Sequence, residues 1–104
     1  MAKEHTYRFR PFAPSTAGYG ARLRQAREAA GYSIADACML TNSTPELWRR
    51  HEAAKSLADG AGCLGEPWMI VAAQLFGVTL DWLAYGDKGL AQIGRVVKRR
   101  KQVA

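Results

Sequence analysis

The stretch NSTPELWRRHE, residues 42–52, concentrates the chemistry this chain has to offer: Arg49 and Arg50 follow Trp48 directly, and His51 and Glu52 follow them. A guanidinium is a permanently charged planar fork of donors that matches a phosphate, a carboxylate or the major-groove edge of guanine. An imidazole next to a carboxylate suggests proton transfer instead, but such a site needs a reacting partner within reach. The sequence contains no Ser/His/Asp grouping, no glycine-rich phosphate loop and no paired carboxylates. Catalysis is therefore not expected. Cys38 and Cys63 sit in unrelated segments without CxxC spacing, so neither a zinc site nor a disulfide framework is indicated. Cys38 falls on the inward side of a helix and reads as core. No metal or cofactor is expected.

The composition agrees with a binding role. A chain of 104 residues, 48% of them hydrophobic, is long enough for one small core and too short for two. The net charge of +6 favours a polyanionic partner such as nucleic acid. The N-terminal MAKEHTYRFRPFAPS has no apolar run, and the run from Trp68 to Leu83 is broken by Gln74, Gly77 and Asp81. The expectation is a protein with no membrane segment, working in the cytoplasm at the nucleoid.

Helical periodicity supplies the elements that must hold the arginines. Tyr19, Leu23, Ala26 and Ala30 recur on one face, Arg22, Arg24, Gln25 and Glu28 fill the other, and Gly31 ends the segment. Ser33 caps a second short helix to about Leu40, with Asp36 completing an S-x-x-D box. Asn42 suits a left-handed turn residue, and Thr44 with Pro45 at the first helical position restarts the chain as a helix over 44–53. Two short helices joined by such a turn make a helix-turn-helix, its second helix held proud of the body.

The glycine-rich KSLADGAGCLGE reads as a loop. Pro67 opens a fourth helix with Trp68, Val71, Ala72 and Leu75 sharing a face and Gly77 at its end, and Thr79 caps a short fifth, LDWLAYG. The expected organisation is an arm over 1–17, a helix-turn-helix domain over 18–87, and a basic tail or helix over 88–104. That tail carries Leu90, Ile93 and Val97 on one side before KRRK. The fold class is all-α.

Three pieces in order, GARLRQAREAAGYS, NSTPELWRRHE and VAAQLFGVTLDWLAYGD, resemble the Cro/C1-type (XRE-like) helix-turn-helix repressor family over roughly residues 19–87. The resemblance implies a compact five-helix domain of the lambda repressor-like kind. It also implies an ion pair between Arg27 and Glu52, Trp48 as the residue that plugs the recognition helix into the core, and His51 as a packing residue where the family often has an aromatic. Pro45, Glu46 and Arg50 occupy the positions that face base edges in the family. Arg50 is the candidate base reader and Arg49 the candidate phosphate contact, with Thr44, Ser33, Arg22 and Lys55 as further DNA-side positions. Leu47 is placed outward, where it would meet a thymine methyl or a protein surface unless it shares the packing of Trp48.

The sequence departs from the family pattern where glutamines are common. Pro45 cannot donate, Glu46 repels phosphate unless it accepts from a cytosine amino group, and Ile34 begins the second helix. The implied function is a DNA-binding transcriptional regulator, a repressor acting on double-stranded DNA as a homodimer through Trp82, Leu83, Tyr85 or the tail helix. The alternative is a degenerate helix-turn-helix used as a protein-interaction module, through exposed Leu47 or the N-terminal arm. In that arm Arg8 and Arg10 alternate with aromatic residues, a pattern suited to minor-groove insertion or to adding a strand to a partner.

Overall fold

A computed structural model describes residues 15–60 and 63–103, with side chains to residue 91. Among the described residues all regular structure is helical: α1 (Tyr19–Ala29), α2 (Ile34–Thr41), α3 (Pro45–Ala53), a 3-10 turn (Ala58–Gly60), α4 (Pro67–Phe76) and α5 (Leu80–Val103). Among the described residues no single helix is long and apolar enough to cross a membrane.

The helix ends are written in local chemistry. Ser33 Oγ accepts from Asp36 N–H at 3.1 Å and Thr44 Oγ1 from Leu47 N–H at 3.2 Å, each satisfying an amide of a first turn that has no partner within its helix. Between these caps Asn42 takes φ 55° and ψ 47°, and its N–H returns to Cys38 C=O. Thr79 Oγ1 caps α5 in the same way, accepting from Trp82 N–H at 3.0 Å.

The core is assembled around α3. Trp48 is fully buried, edge-on to Trp68 at 5.4 Å and to Phe76 at 5.9 Å, and its indole N–H donates to Ser43 Oγ at 2.7 Å. The side chain that anchors α3 therefore also ties down the turn in front of it. Gly20 brings α1 against the end of α3 backbone to backbone: its N–H donates to Ala54 C=O at 3.2 Å, and a Cβ there would meet the carbonyl oxygens of His51 at 2.6 Å and Glu52 at 2.7 Å. No residue with a side chain fits that approach.

Several expected faces turn out differently. On α1 the inward set is Tyr19, Leu23, Ala26 and Arg27, while Ala30 is exposed because the helix ends at Ala29 and Gly31 (φ 85°) turns the chain away. On α4 the buried residues are Trp68, Met69, Ala72, Ala73 and Phe76, and Val71 is exposed. PWMIVAAQLF is apolar nearly all round, so period alone does not select a face; the bulk of Met69 and Phe76 does. Leu83, expected at a dimer surface, is fully buried in the core.

Gly86, at φ 71° and ψ −177°, breaks α5, and beyond it the chain is helical to Val103. The junction between the expected arm over 1–17 and α1 is bonded to the body of the domain. Gly18 N–H donates to Lys55 C=O at 2.8 Å and Leu57 N–H to Thr16 Oγ1 at 3.1 Å, so the last arm residues are bonded to the loop behind α3. Arg8 and Arg10, Ile93, Val97 and the KRRK side chains lie outside the described residues.

Candidate functional site

The outer side of α3 carries Pro45, Glu46, Arg49 and Arg50, all exposed. Behind it the orientation of the helix is fixed by charge as well as by Trp48. Arg27 Nε donates to Glu52 Oε2 at 2.6 Å and Arg27 Nη2 to Glu52 Oε1 at 3.0 Å, a two-pronged pair whose side chains are only 9% and 8% exposed. The remaining Nη1 donates to Tyr32 C=O at 2.7 Å. The hydrogen bond to Glu52 raises the Arg27 pKa above the usual guanidinium value, more than burial lowers it. Removing water from both ions offsets much of their attraction, so the pair specifies the α1–α3 angle more than it stabilises the domain.

A notch of about 350 Å³ opens beside this pair, lined by Arg24, Arg27, Ile34, Arg49, Glu52 and Ala53. Arg24 and Arg49 bring two exposed guanidiniums to its walls, Arg24 sharing its charge with Glu28 at 3.3 Å. The notch adjoins α3 and faces solvent, a setting in which an anionic group could meet both arginines.

Arg22 is not on that face. Its Nε donates to Leu83 C=O at 3.0 Å, Nη2 to Ala84 C=O at 2.7 Å and Nη1 to Ala17 C=O at 2.9 Å. The guanidinium satisfies carbonyls released where Gly86 interrupts α5, and so joins α5 to the start of α1. In the structure Arg22 is thus a clasp between α1 and α5, its guanidinium engaged by three backbone carbonyls. Lys55 is exposed, its carbonyl bonded to Gly18 and its ammonium in solvent. Ser33 and Thr44 spend an acceptor on their caps but remain exposed at the mouth of the motif. Leu47, expected outward, is half-buried and packs against the core, because the α3 backbone turns it toward the side of Trp48.

Arg50 is only partly free. Its Nε donates to Gly60 C=O at 3.1 Å, across to the 3-10 turn. Neither residue's type nor their spacing signals this bond, since a backbone acceptor leaves no trace in sequence.

The residues with reactive potential are committed to packing. His51 is 1% exposed, its ring edge-on to Trp68 at 4.7 Å, and its Nδ1 lies 2.7 Å from Tyr19 Oη. Burial raises the Tyr19 pKa, so the phenol keeps its proton. Burial, and then the charge of Arg50, lower the His51 pKa. Cys38 is buried, and burial pushes its thiol pKa up, opposite to what a nucleophile needs. Among the described residues no three His, Cys, Asp or Glu side chains are grouped to hold a metal ion.

A larger cleft of about 570 Å³ lies between α1 and the break in α5, where Trp82 and Tyr85, both half-buried, stand near Gln25, Asp87 and Lys88. Trp82 and Tyr85 of the expected dimer surface line this cleft, Leu83 belongs to the core, and the side chains of the tail helix beyond residue 91 lie outside the described residues. Comparison with protein-family models, with curated proteins and with solved structures finds no match to this chain.

Proposed function

We propose that this protein is a Cro/C1-type helix-turn-helix domain that binds double-stranded DNA as a homodimer, inserts α3 into the major groove, and represses transcription. One observation carries the reading: α3 is immobilised from behind by Trp48, the Thr44 cap and the Arg27–Glu52 pair, while Arg49 and Arg50 stay exposed in front. A rigid short helix with cations on its solvent side has the properties needed to read a groove, and the net charge of +6 supplies attraction to phosphates. Arg50 meets a guanine edge, Arg49 and the notch beside it meet the phosphate backbone, and Glu46 accepts from a cytosine amino group. Two copies related by two-fold symmetry place their recognition helices in successive major grooves about 34 Å apart.

Selection of bound fragments from random duplex DNA by the purified protein tests this. An enriched palindrome is the expected result; no enrichment over input at low salt overturns the proposal. The second reading, a protein-interaction module, is favoured by the exposed apolar side chains of α2, Met39 at 74% and Leu40 at 45%. It loses the half-buried Leu47 as an anchor and predicts no enriched sequence.

A further inference from the structure

Arg50 is held by a loop that the recognition helix does not contain. Gly60 lies in the 3-10 turn after α3, and three bonds lead to it from the N-terminal segment: Thr16 Oγ1 accepts from Leu57 N–H, Leu57 C=O accepts from Gly60 N–H at 3.2 Å, and Gly60 C=O accepts from Arg50 Nε at 3.1 Å. Beneath Gly60 lies the imidazole of His51. A Cβ built at Gly60 would stand 3.1 Å from Nδ1, 3.2 Å from Cε1 and 3.4 Å from Cγ of that ring. The ring cannot yield easily, since Tyr19 holds its Nδ1 and Trp68 packs edge-on against it.

We infer that Gly60 is a specificity-determining positioning residue, whose backbone carbonyl pre-orients the guanidinium of Arg50 for a single mode of base contact. The inference rests on the DNA-binding reading. A guanidinium can present a side edge, Nε with one Nη, or its terminal edge, both Nη groups. With Nε engaged by Gly60, only the terminal edge remains free for the two acceptors of guanine, O6 and N7. A side chain already ordered in the free protein also avoids the loss of rotamer freedom on binding, worth about 2- to 10-fold in affinity for one long side chain. Because the tether acts through Arg50 alone, its effect belongs to preference for the selected sequence and not to the general attraction for phosphates.

The test uses the full chain and a duplex enriched by selection. In the free protein, the Arg50 Nε–H resonance should exchange with water more slowly than that of Arg49; equal exchange rates overturn the tether. Gly60→Ala should then reduce the preference for selected over scrambled duplex by about 2- to 10-fold, leave affinity for scrambled duplex unchanged, and have no further effect on preference in an Arg50→Ala background. Equal loss on both duplexes, or an undiminished effect in that background, shows Gly60 to be merely structural and overturns the inference. Thr16→Val, which removes the acceptor of Leu57 N–H without touching His51, should move preference in the same direction to a smaller extent; if Gly60→Ala does not fold, an unchanged preference here overturns the inference. Failure of any duplex to be enriched is a separate result: it overturns the DNA reading, and the inference with it, whatever the exchange rates.

Discussion

Replacing Arg27 by alanine should cost far more stability than replacing Arg49, although both remove one positive charge near α3. In the first case the Glu52 carboxylate, whose side chain is 8% exposed, loses both of its bonds, and the Tyr32 carbonyl loses the donor at 2.7 Å. Breaking one side of a buried ion pair costs about 3–5 kcal/mol. The adjacent notch admits water to the stranded carboxylate, which places the expectation at the lower end, about 3 kcal/mol. At roughly 4–8 °C per kcal/mol for a domain of this size, the melting temperature should fall by more than about 10 °C. Arg49→Ala removes an exposed charge and should change stability by no more than about 0.5 kcal/mol. Urea titrations followed by circular dichroism measure both. The double substitution Arg27→Met with Glu52→Leu should recover most of the loss, because it abolishes the desolvation cost together with the attraction. Small and equal effects of the two alanine variants, or a double variant weaker than Arg27→Ala, would refute the reasoning.

Three further expectations follow from other parts of the structure. Because the folded-state pKa of His51 lies below its ordinary 6.5, the unfolded chain takes up a proton that the folded chain refuses; stability should decline as pH falls below about 6.5, and urea midpoints for the wild type and His51→Gln between pH 7.5 and 5 would isolate this component, a parallel decline in both counting against it. Gly20→Ala forces a methyl against the carbonyls of His51 and Glu52 and should destabilise by about 2 kcal/mol or more; an unchanged denaturation midpoint would show that α1 and α3 can part freely. Arg50→Ala should cost about 1–3 kcal/mol at one base pair per half-site while Arg49→Ala weakens selected and scrambled duplexes alike and reduces the salt slope by about one; binding isotherms at several salt concentrations would decide, and equal losses on both duplexes for Arg50→Ala would leave a non-specific binder.

What could be read from the sequence divides along the distance over which its causes act. The Ser33 and Thr44 caps and the left-handed Asn42 depend on neighbours a few residues away and are found where residue type puts them, and Trp48 is inward where the resemblance puts it. The Arg27–Glu52 pair spans more of the chain and came from a resemblance, which supplied a register that periodicity lacks. Arg22 and Arg50 show the limit. Both are arginines on a polar face that the resemblance puts on the DNA side, yet two of the carbonyls that engage Arg22 lie 61 and 62 residues away and the carbonyl that engages Arg50 belongs to a glycine. Backbone acceptors have no side-chain signature, so only the fold reveals them. On α4 Trp68 and Ala72 lie inward as expected and Val71 does not, for a different reason: a helix apolar nearly all round has no period to read, and tertiary packing chose Met69 and Phe76 over Val71.

The edge-on contact between Trp48 and Trp68, with ring centroids 5.4 Å apart and planes at 68°, has an optical consequence. Two indoles held so close and so nearly perpendicular couple their electronic transitions and should produce a paired positive and negative band in the ultraviolet circular dichroism spectrum. The sign and size of that couplet depend on the angle between α3, which carries Trp48, and α4, which carries Trp68. Trp82, half-buried on α5, stands apart from the pair and contributes a more ordinary signal. The domain therefore contains its own angular gauge, and any ligand, partner or substitution that rotates α3 against the core should register there without an attached label.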